Sequence, residues 1–151
     1  MAKDDVYYMR MAQDAAAKSN CKSRQIGAII VNRYGKIATG YNYTLIDCGD
    51  TCPRHDKGYK SGEGLDECPV IHAEMMVIAE AAKRNVSTWD GTMYCWCCEP
   101  CKWCAGPIIQ AGIKRVVHLD VDPPNNTIHR LGSRLFAASN VELVRIKEED
   151  I

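Results

Sequence analysis

With 151 residues, 46% of them apolar and 25% charged, the chain has the size and balance of a single domain, residues 1–151, able to bury a continuous core. Its 19 basic residues are matched by 19 acidic ones, and no window carries the Lys/Arg run of a protein that tracks a phosphate backbone, so long nucleic acid is not an expected partner. The stretch around Lys3-Asp4-Asp5 lacks the apolar run of a signal peptide, and nowhere do about eighteen apolar residues follow one another; the expectation is a cytoplasmic protein with no membrane partner.

An amphipathic helix is predicted from about Asp4 to Lys18, where Tyr8, Met11, Ala12 and Ala15 fall on one stripe and Asp4 is placed to cap the start. Two short β-rich segments follow, Ile26 to Val31 and Lys36 to Tyr41. Between them, Asn32-Arg33-Tyr34-Gly35 ends on a residue free to take positive φ, so the pair reads as a hairpin. From Asn42 to Cys68 periodicity dissolves. So long an irregular stretch inside a compact domain is expected to be functional or clamped. Ile71 to Arg84 is a second helix with a broad apolar surface, Gly91 to Cys97 a strand, and Lys102 to Ala111 a third helix ending at Gly112. A strand from Lys114 to Leu119, a helix from Thr127 to Ala138 and a strand from Val141 to Ile146 complete the order. That order implies an α/β fold, a three-layer α/β/α sandwich around one five-stranded mixed sheet.

Nine cysteines, an odd number and several closely spaced, argue for metal ligands and reduced thiols over a disulfide framework. The densest chemistry lies in His72-Ala73-Glu74 and Pro100-Cys101-Lys102-Trp103-Cys104. On a helix, residues two apart diverge by about 200°, so His72 and Glu74 can share a site only across a helix N-terminus. Cys101 and Cys104 lie within about 60° of each other, and in a first turn the helix dipole favours their thiolates. Two helix N-termini would then converge on one metal beyond the carboxyl ends of the strands. A Zn²⁺ held by His72, Cys101 and Cys104 keeps a fourth position open and makes hydroxide available at neutral pH. Glu74, unligated, is placed to move protons, which implies hydrolytic removal of an amino group from a heterocycle. The alternative is a structural zinc knuckle, closed by a fourth Cys or His.

The whole chain resembles the zinc-dependent deoxycytidylate (dCMP) deaminases of the cytidine deaminase superfamily, especially bacterial and phage-type members. The matching residues are Ser19-Asn20-Cys21, Ile26 to Val31, Gly40-Tyr41-Asn42, Cys48, Cys52, Arg54, Ser61-Gly62-Glu63, Glu67-Cys68, Ile71 to Glu74, and Ile108 to Val117. The resemblance implies deamination of dCMP to dUMP, with Asn42 on the sugar hydroxyl, the Ala73 backbone on the base edge, and Lys22, Ser23 and Arg24 near the 5′-phosphate. It also implies a hexamer, in the host cytoplasm if a phage encodes it. Regulation would come from dCTP with Mg²⁺ as activator and dTTP as inhibitor, through a loop at Gly40, Tyr41, Asn42 and Tyr43. Other substrates within the superfamily are dCTP, free cytosine and tRNA adenosine, the last two echoed by Glu99-Pro100-Cys101; a non-catalytic, zinc-stabilised nucleotide-binding domain is the reading outside enzymology.

Two departures and one cluster add expectations. Tyr43 stands where relatives have Gly, and one extra residue before Pro100 calls for a bulge ahead of Cys101. Cys21, Cys48, Cys52 and Cys68 match cysteines of several relatives and would form a second, structural zinc site clamping the long loop, with His55 as a spare ligand. Cys95, Cys97 and Cys98 are expected to pack along the strand without a metal role.

Overall fold

The computed structural model describes residues 3–151. Its centre is a sheet in the order β2-β1-β3-β4-β5, built from β1 (Gly27–Val31), β2 (Ile37–Tyr41), β3 (Thr92–Cys95), β4 (Arg115–Leu119) and β5 (Glu142–Ile146). The expected hairpin forms: β1 and β2 pair antiparallel, Gly27 opposite Tyr41 and Val31 opposite Ile37. Gly35 turns the chain at φ 76°, a region L side chains avoid. Asn32 fastens the turn through Oδ1, which accepts the N–H groups of Tyr34 and Lys36 at 2.9 Å each. β1 also pairs antiparallel with β3, while β3–β4 and β4–β5 are parallel, so the sheet is mixed as expected.

Strand alternation sends side chains to opposite faces, and the two faces have separate cores. On one, Ile29, Tyr94, Val117, Leu119 and Ile146 pack against Met9, Ala12 and Ala15 of α1 (Lys3–Ala16). On the other, Ala28, Ile30, Met93 and Val116 pack against α3 (Ala73–Lys83), α4 (Lys102–Gln110) and α5 (Thr127–Ala137) through Val77, Ala81, Ile108 and Phe136. This is the three-layer α/β/α arrangement. Asp4 does not cap α1 as expected; it lies within the first turn, and the acid that matters is its neighbour. Asp5 is 1% exposed, takes both terminal nitrogens of Arg115 at 2.7 and 2.8 Å, and accepts the Tyr94 hydroxyl at 3.1 Å. A buried carboxylate held by a bidentate guanidinium ties α1 to β3 and β4.

The stretch from Asn42 to Ile71 is a loop with internal order. It contains the single-turn helix α2 (Pro53–Asp56) and a 3₁₀ turn at Leu65–Glu67. Tyr43 and Ile71 pin its two ends by exchanging backbone hydrogen bonds of 3.1 and 2.8 Å. Tyr43 needs no positive φ here, which is why a tyrosine serves where glycine was expected. Among the described residues, no helix is long and apolar enough to cross a membrane.

Candidate metal centre and catalytic cavity

α3 and α4 both begin at the sheet edge formed by the carboxyl ends of β3 and β4, and each starts on a metal-ligand residue: His72 is the N-cap of α3 and Cys101 the N-cap of α4. N-caps normally turn a side-chain acceptor back onto their own helix. Neither residue does so; both side chains turn to a shared point instead. Cys101 Sγ is 3.6 Å and Cys104 Sγ 3.3 Å from His72 Nδ1, and the three donor atoms lie within 4.8 Å of one another. Ligands bound tetrahedrally at the usual Zn–S and Zn–N lengths stand about 3.6 Å apart. The donor set therefore fits zinc.

The protonation of the donors follows from their closeness. His72 is pushed up to about 9, chiefly by its hydrogen bond to Cys101. Cys101 is pulled down to about 4, first by the Cys104 thiol and then by His72, while Cys104 is pushed up by the same contact. The contact between the two sulfurs splits them, favouring thiolate at Cys101 and thiol at Cys104. A bound cation takes the place of these protons. Glu74, in the first turn of α3, is 6% exposed; burial raises its carboxyl above the usual range, against the opposing pull of His72. A buried carboxyl whose hold on a proton is strengthened in this way, next to the His72 and Cys101 donors, is suited to accept and return a proton.

The approach to Cys101 leaves the sheet through an irregularity after Cys95. Along β3 and β4 the parallel register starts with Lys114 N–H on the Gly91 carbonyl, but past Cys95 the Leu119 N–H finds the Cys97 carbonyl, one residue out of step. That bulge swings the chain from sheet to ligand loop. The loop is backed by α5, where an added Cβ at Gly132 would stand 2.7 Å from the Pro100 carbonyl oxygen and 2.9 Å from Lys102 N. Cys97 and Cys98 do not pack along the strand as expected. They sit in the loop beyond it, their sulfurs 3.7 Å apart, and line the cavity.

That cavity, about 380 Å³, opens over His72, Glu74 and Cys101 and is walled on the far side by the 42–70 loop; its size is that of a small-molecule site. Lys22, Ser23, Arg24 and Asn42 all line it. Asn42 is buried, and its side chain is engaged at both ends. Oδ1 accepts the Ile26 N–H at 2.9 Å and Nδ2 donates to the Arg24 carbonyl at 2.7 Å. It thus shapes the cavity wall, with one amide hydrogen and one lone pair left over. The Ala73 N–H belongs to the first turn of α3, where the helix supplies no acceptor. Gly40 and Tyr41 lie in β2 rather than in a free loop.

The second zinc site is not assembled. Cys21, Cys48, Cys52, Cys68 and His55 all line the cavity, but among the described residues only His72, Cys101 and Cys104 bring three such donors together. Hydrogen bonds hold the loop instead: Arg54 Nε donates to the Glu63 carbonyl at 2.8 Å, Lys60 N–H to Glu63 Oε2 at 2.8 Å, and Glu67 takes both Lys57 and the Tyr59 hydroxyl. His55 Nε2 is 3.0 Å from Ser23 Oγ, which joins the loop to the entry of β1. Sequence reasoning passed over Glu99, His129 and Arg54 as cavity residues; two of them carried a signal, Arg54 as a charged residue amid the matched cysteines and Glu99 in the Glu99-Pro100-Cys101 run.

Fold and site together define a class: a metalloprotein of α/β/α architecture whose His/Cys/Cys centre sits across two helix N-termini with a buried carboxylate beside it. Residues 2–120 match the model of the cytidine and deoxycytidylate deaminase zinc-binding region, and the chain belongs to that family. It is 40% identical over 118 residues to the deoxycytidylate deaminase of Schizosaccharomyces pombe, covering 76% of this chain and 36% of that protein, so it spans about a third of that relative's length. Against the deoxycytidylate deaminase of Mycobacterium phage D29 it is 31% identical over 121 residues, covering 76% of this chain and 92% of the phage protein. The dCMP deaminase of cyanophage S-TIM5, solved with dCMP and dUMP, aligns with a TM-score of 0.74 at 28% identity, over 97% of this chain and 99% of that one.

Proposed function

We propose that this chain deaminates dCMP hydrolytically to dUMP. The observation that carries the reading is the buried Glu74 beside the converged His72, Cys101 and Cys104 donors, at the floor of a nucleotide-sized cavity. Its support on substrate is the likeness, close to end to end, to a phage enzyme solved with dCMP and dUMP. Zinc held by His72, Cys101 and Cys104 supplies the Lewis acidity that makes water a nucleophile toward C4 of cytosine at neutral pH. Glu74 takes a proton from the attacking water and places it on the ring nitrogen next to C4; it then takes the second proton from the new C4 hydroxyl and passes it to the amine, so that the C4–N bond breaks, ammonia leaves and the C4 carbonyl forms. The Ala73 N–H donates to the base edge. Asn42 holds the cavity wall at Arg24 and Ile26 and offers its remaining amide capacity to the sugar hydroxyl. Lys22, Ser23 and Arg24 stand at the same cavity with the charge and donors a 5′-phosphate requires.

With this reading come the hexameric assembly and the regulation by dCTP with Mg²⁺ and by dTTP that the resemblance implies. One assay tests substrate and regulation together: ammonia release from dCMP, dCTP, deoxycytidine and cytosine by the zinc-loaded protein, with and without dTTP. The expected outcome is a clear preference for dCMP. Equal turnover of the free base or the nucleoside would overturn the assignment.

A further inference from the structure

We infer that Arg54 is the residue that anchors the 5′-phosphate, an assignment that rests on the dCMP reading and relocates its charge recognition away from Lys22 and Arg24. Three observations converge on it. First, Arg54 is 8% exposed, whereas Lys22 and Arg24 are exposed to solvent. A guanidinium stays charged under all ordinary conditions, and a charge taken out of water without a counterion is costly. Second, no counterion is built in. Arg54 spends Nε on the Glu63 carbonyl at 2.8 Å, and among the described residues no carboxylate oxygen lies within 4.0 Å of its guanidinium. Glu67, on the same wall, is already committed to Lys57 and Tyr59.

Third, the two remaining nitrogens are open to solvent-accessible space on a residue that lines the cavity. They are not among the sealed, unpartnered polar atoms, which are Glu99 Oε1 and His118 Nε2. The terminal fork of a guanidinium matches two oxygens of one phosphate. Ser23 Oγ and His55 Nε2, 3.0 Å apart on the same cavity, can serve a third oxygen. The cavity is then polar in a useful sense: Glu74 and Glu99 belong to the elements that carry the metal ligands, and an unpaired cation stands on the loop across from them. A nucleotide with its amino-bearing ring on the metal side and its anionic tail on the loop side fits that polarity. The exposed Lys22 and Arg24 contribute attraction on approach, which salt screens.

The test uses the zinc-loaded full chain and compares kcat/KM for dCMP and for deoxycytidine in wild type, R54Q and R54K, with zinc content and melting temperature recorded for each. Expected is a fall of about 10- to 100-fold on dCMP in R54Q, at least about 5-fold larger than the fall on deoxycytidine, since the charged contact to the phosphate is lost on dCMP alone while any loosening of the loop at Glu63 acts on both substrates. R54K falls on dCMP as well, because an ammonium cannot present a fork. It also carries the test should R54Q fail to fold. Losses that are equal on both substrates, or no loss on dCMP, overturn the inference. A wild-type protein that shows no preference for dCMP over deoxycytidine sinks the substrate reading instead, and a wild type that keeps its preference in R54Q sinks only Arg54.

Discussion

Gly132 offers the sharpest test of how the metal loop is held. In a helix interior, Gly→Ala ordinarily stabilises by about 1 kcal/mol, because alanine loses less backbone freedom on folding. At Gly132 the new Cβ would meet three backbone atoms of the ligand loop, the Pro100 carbonyl oxygen at 2.7 Å, Cys101 C at 2.9 Å and Lys102 N at 2.9 Å. None of these is a flexible side-chain end, and ordinary contact begins at 3.4 Å, so α5 or the loop must give. Overpacking of this kind costs about 2 kcal/mol. Set against the propensity gain, the net is a loss of about 1 kcal/mol, a melting temperature lower by roughly 2–4 °C for a domain of this size. Differential scanning calorimetry of the zinc-loaded variant beside wild type, with bound zinc measured during dialysis against a weak chelator, reads the effect. G132A should also release zinc faster than wild type, because the strained backbone carries Cys101. If G132A melts higher than wild type and holds its zinc equally well, the account of α5 as the tight backing of the ligand loop is wrong.

Four further outcomes are expected. E74Q should keep one zinc per chain and lose about 10²- to 10⁴-fold in kcat, checked by metal analysis and ammonia release; retained turnover would remove Glu74 from the chemistry. D5N leaves the Arg115 guanidinium facing a neutral amide, and because Arg115 is 24% exposed the loss is set at about 2–3 kcal/mol, below the range for a fully buried pair, seen as a urea midpoint lower by about 1 M. Metal analysis of the purified protein should give a zinc content near one per chain, and chelation should lower the melting temperature while abolishing activity; a content near two would reinstate the cysteine clamp. N42A frees the Arg24 carbonyl and the Ile26 N–H at once; its KM for dCMP should rise about 10-fold or more as the cavity wall loosens, with zinc content unchanged.

The framework was legible because GAIIV in β1 and RVVHL in β4 are short runs buried on both faces, as strands between two helical layers must be, while the α1 stripe at Met11, Ala12 and Ala15 reports a single face. The metal donors were legible for a different reason: H-x-E and C-x-x-C fix which side chains can converge once a helix N-terminus is supplied, and both motifs do start helices. Asp5 was missed because an acid early in a helix reads as a helix-end charge, and nothing local reveals an arginine 110 residues away. The fate of Cys21, Cys48, Cys52 and Cys68 was illegible because spacing in an irregular loop sets no geometry. They reach the same cavity without meeting. Asn42 was placed correctly at the cavity, but the direction of its amide depends on the backbone at Arg24 and Ile26, which no pattern in the chain encodes.

The bracing of Cys101 by Gly132 has a bearing on synthesis at the ribosome. All three donors, and Glu74, leave the ribosome ahead of β4, β5 and α5. An elongating chain at that stage displays thiols and imidazole on a sheet lacking two of its five strands, with the reverse side of the ligand loop uncovered. The backing of Cys101 is therefore completed only by segments after Cys104 that donate no ligand. A chain that stalls within them carries reactive cysteines with no rigid support to hold an ion.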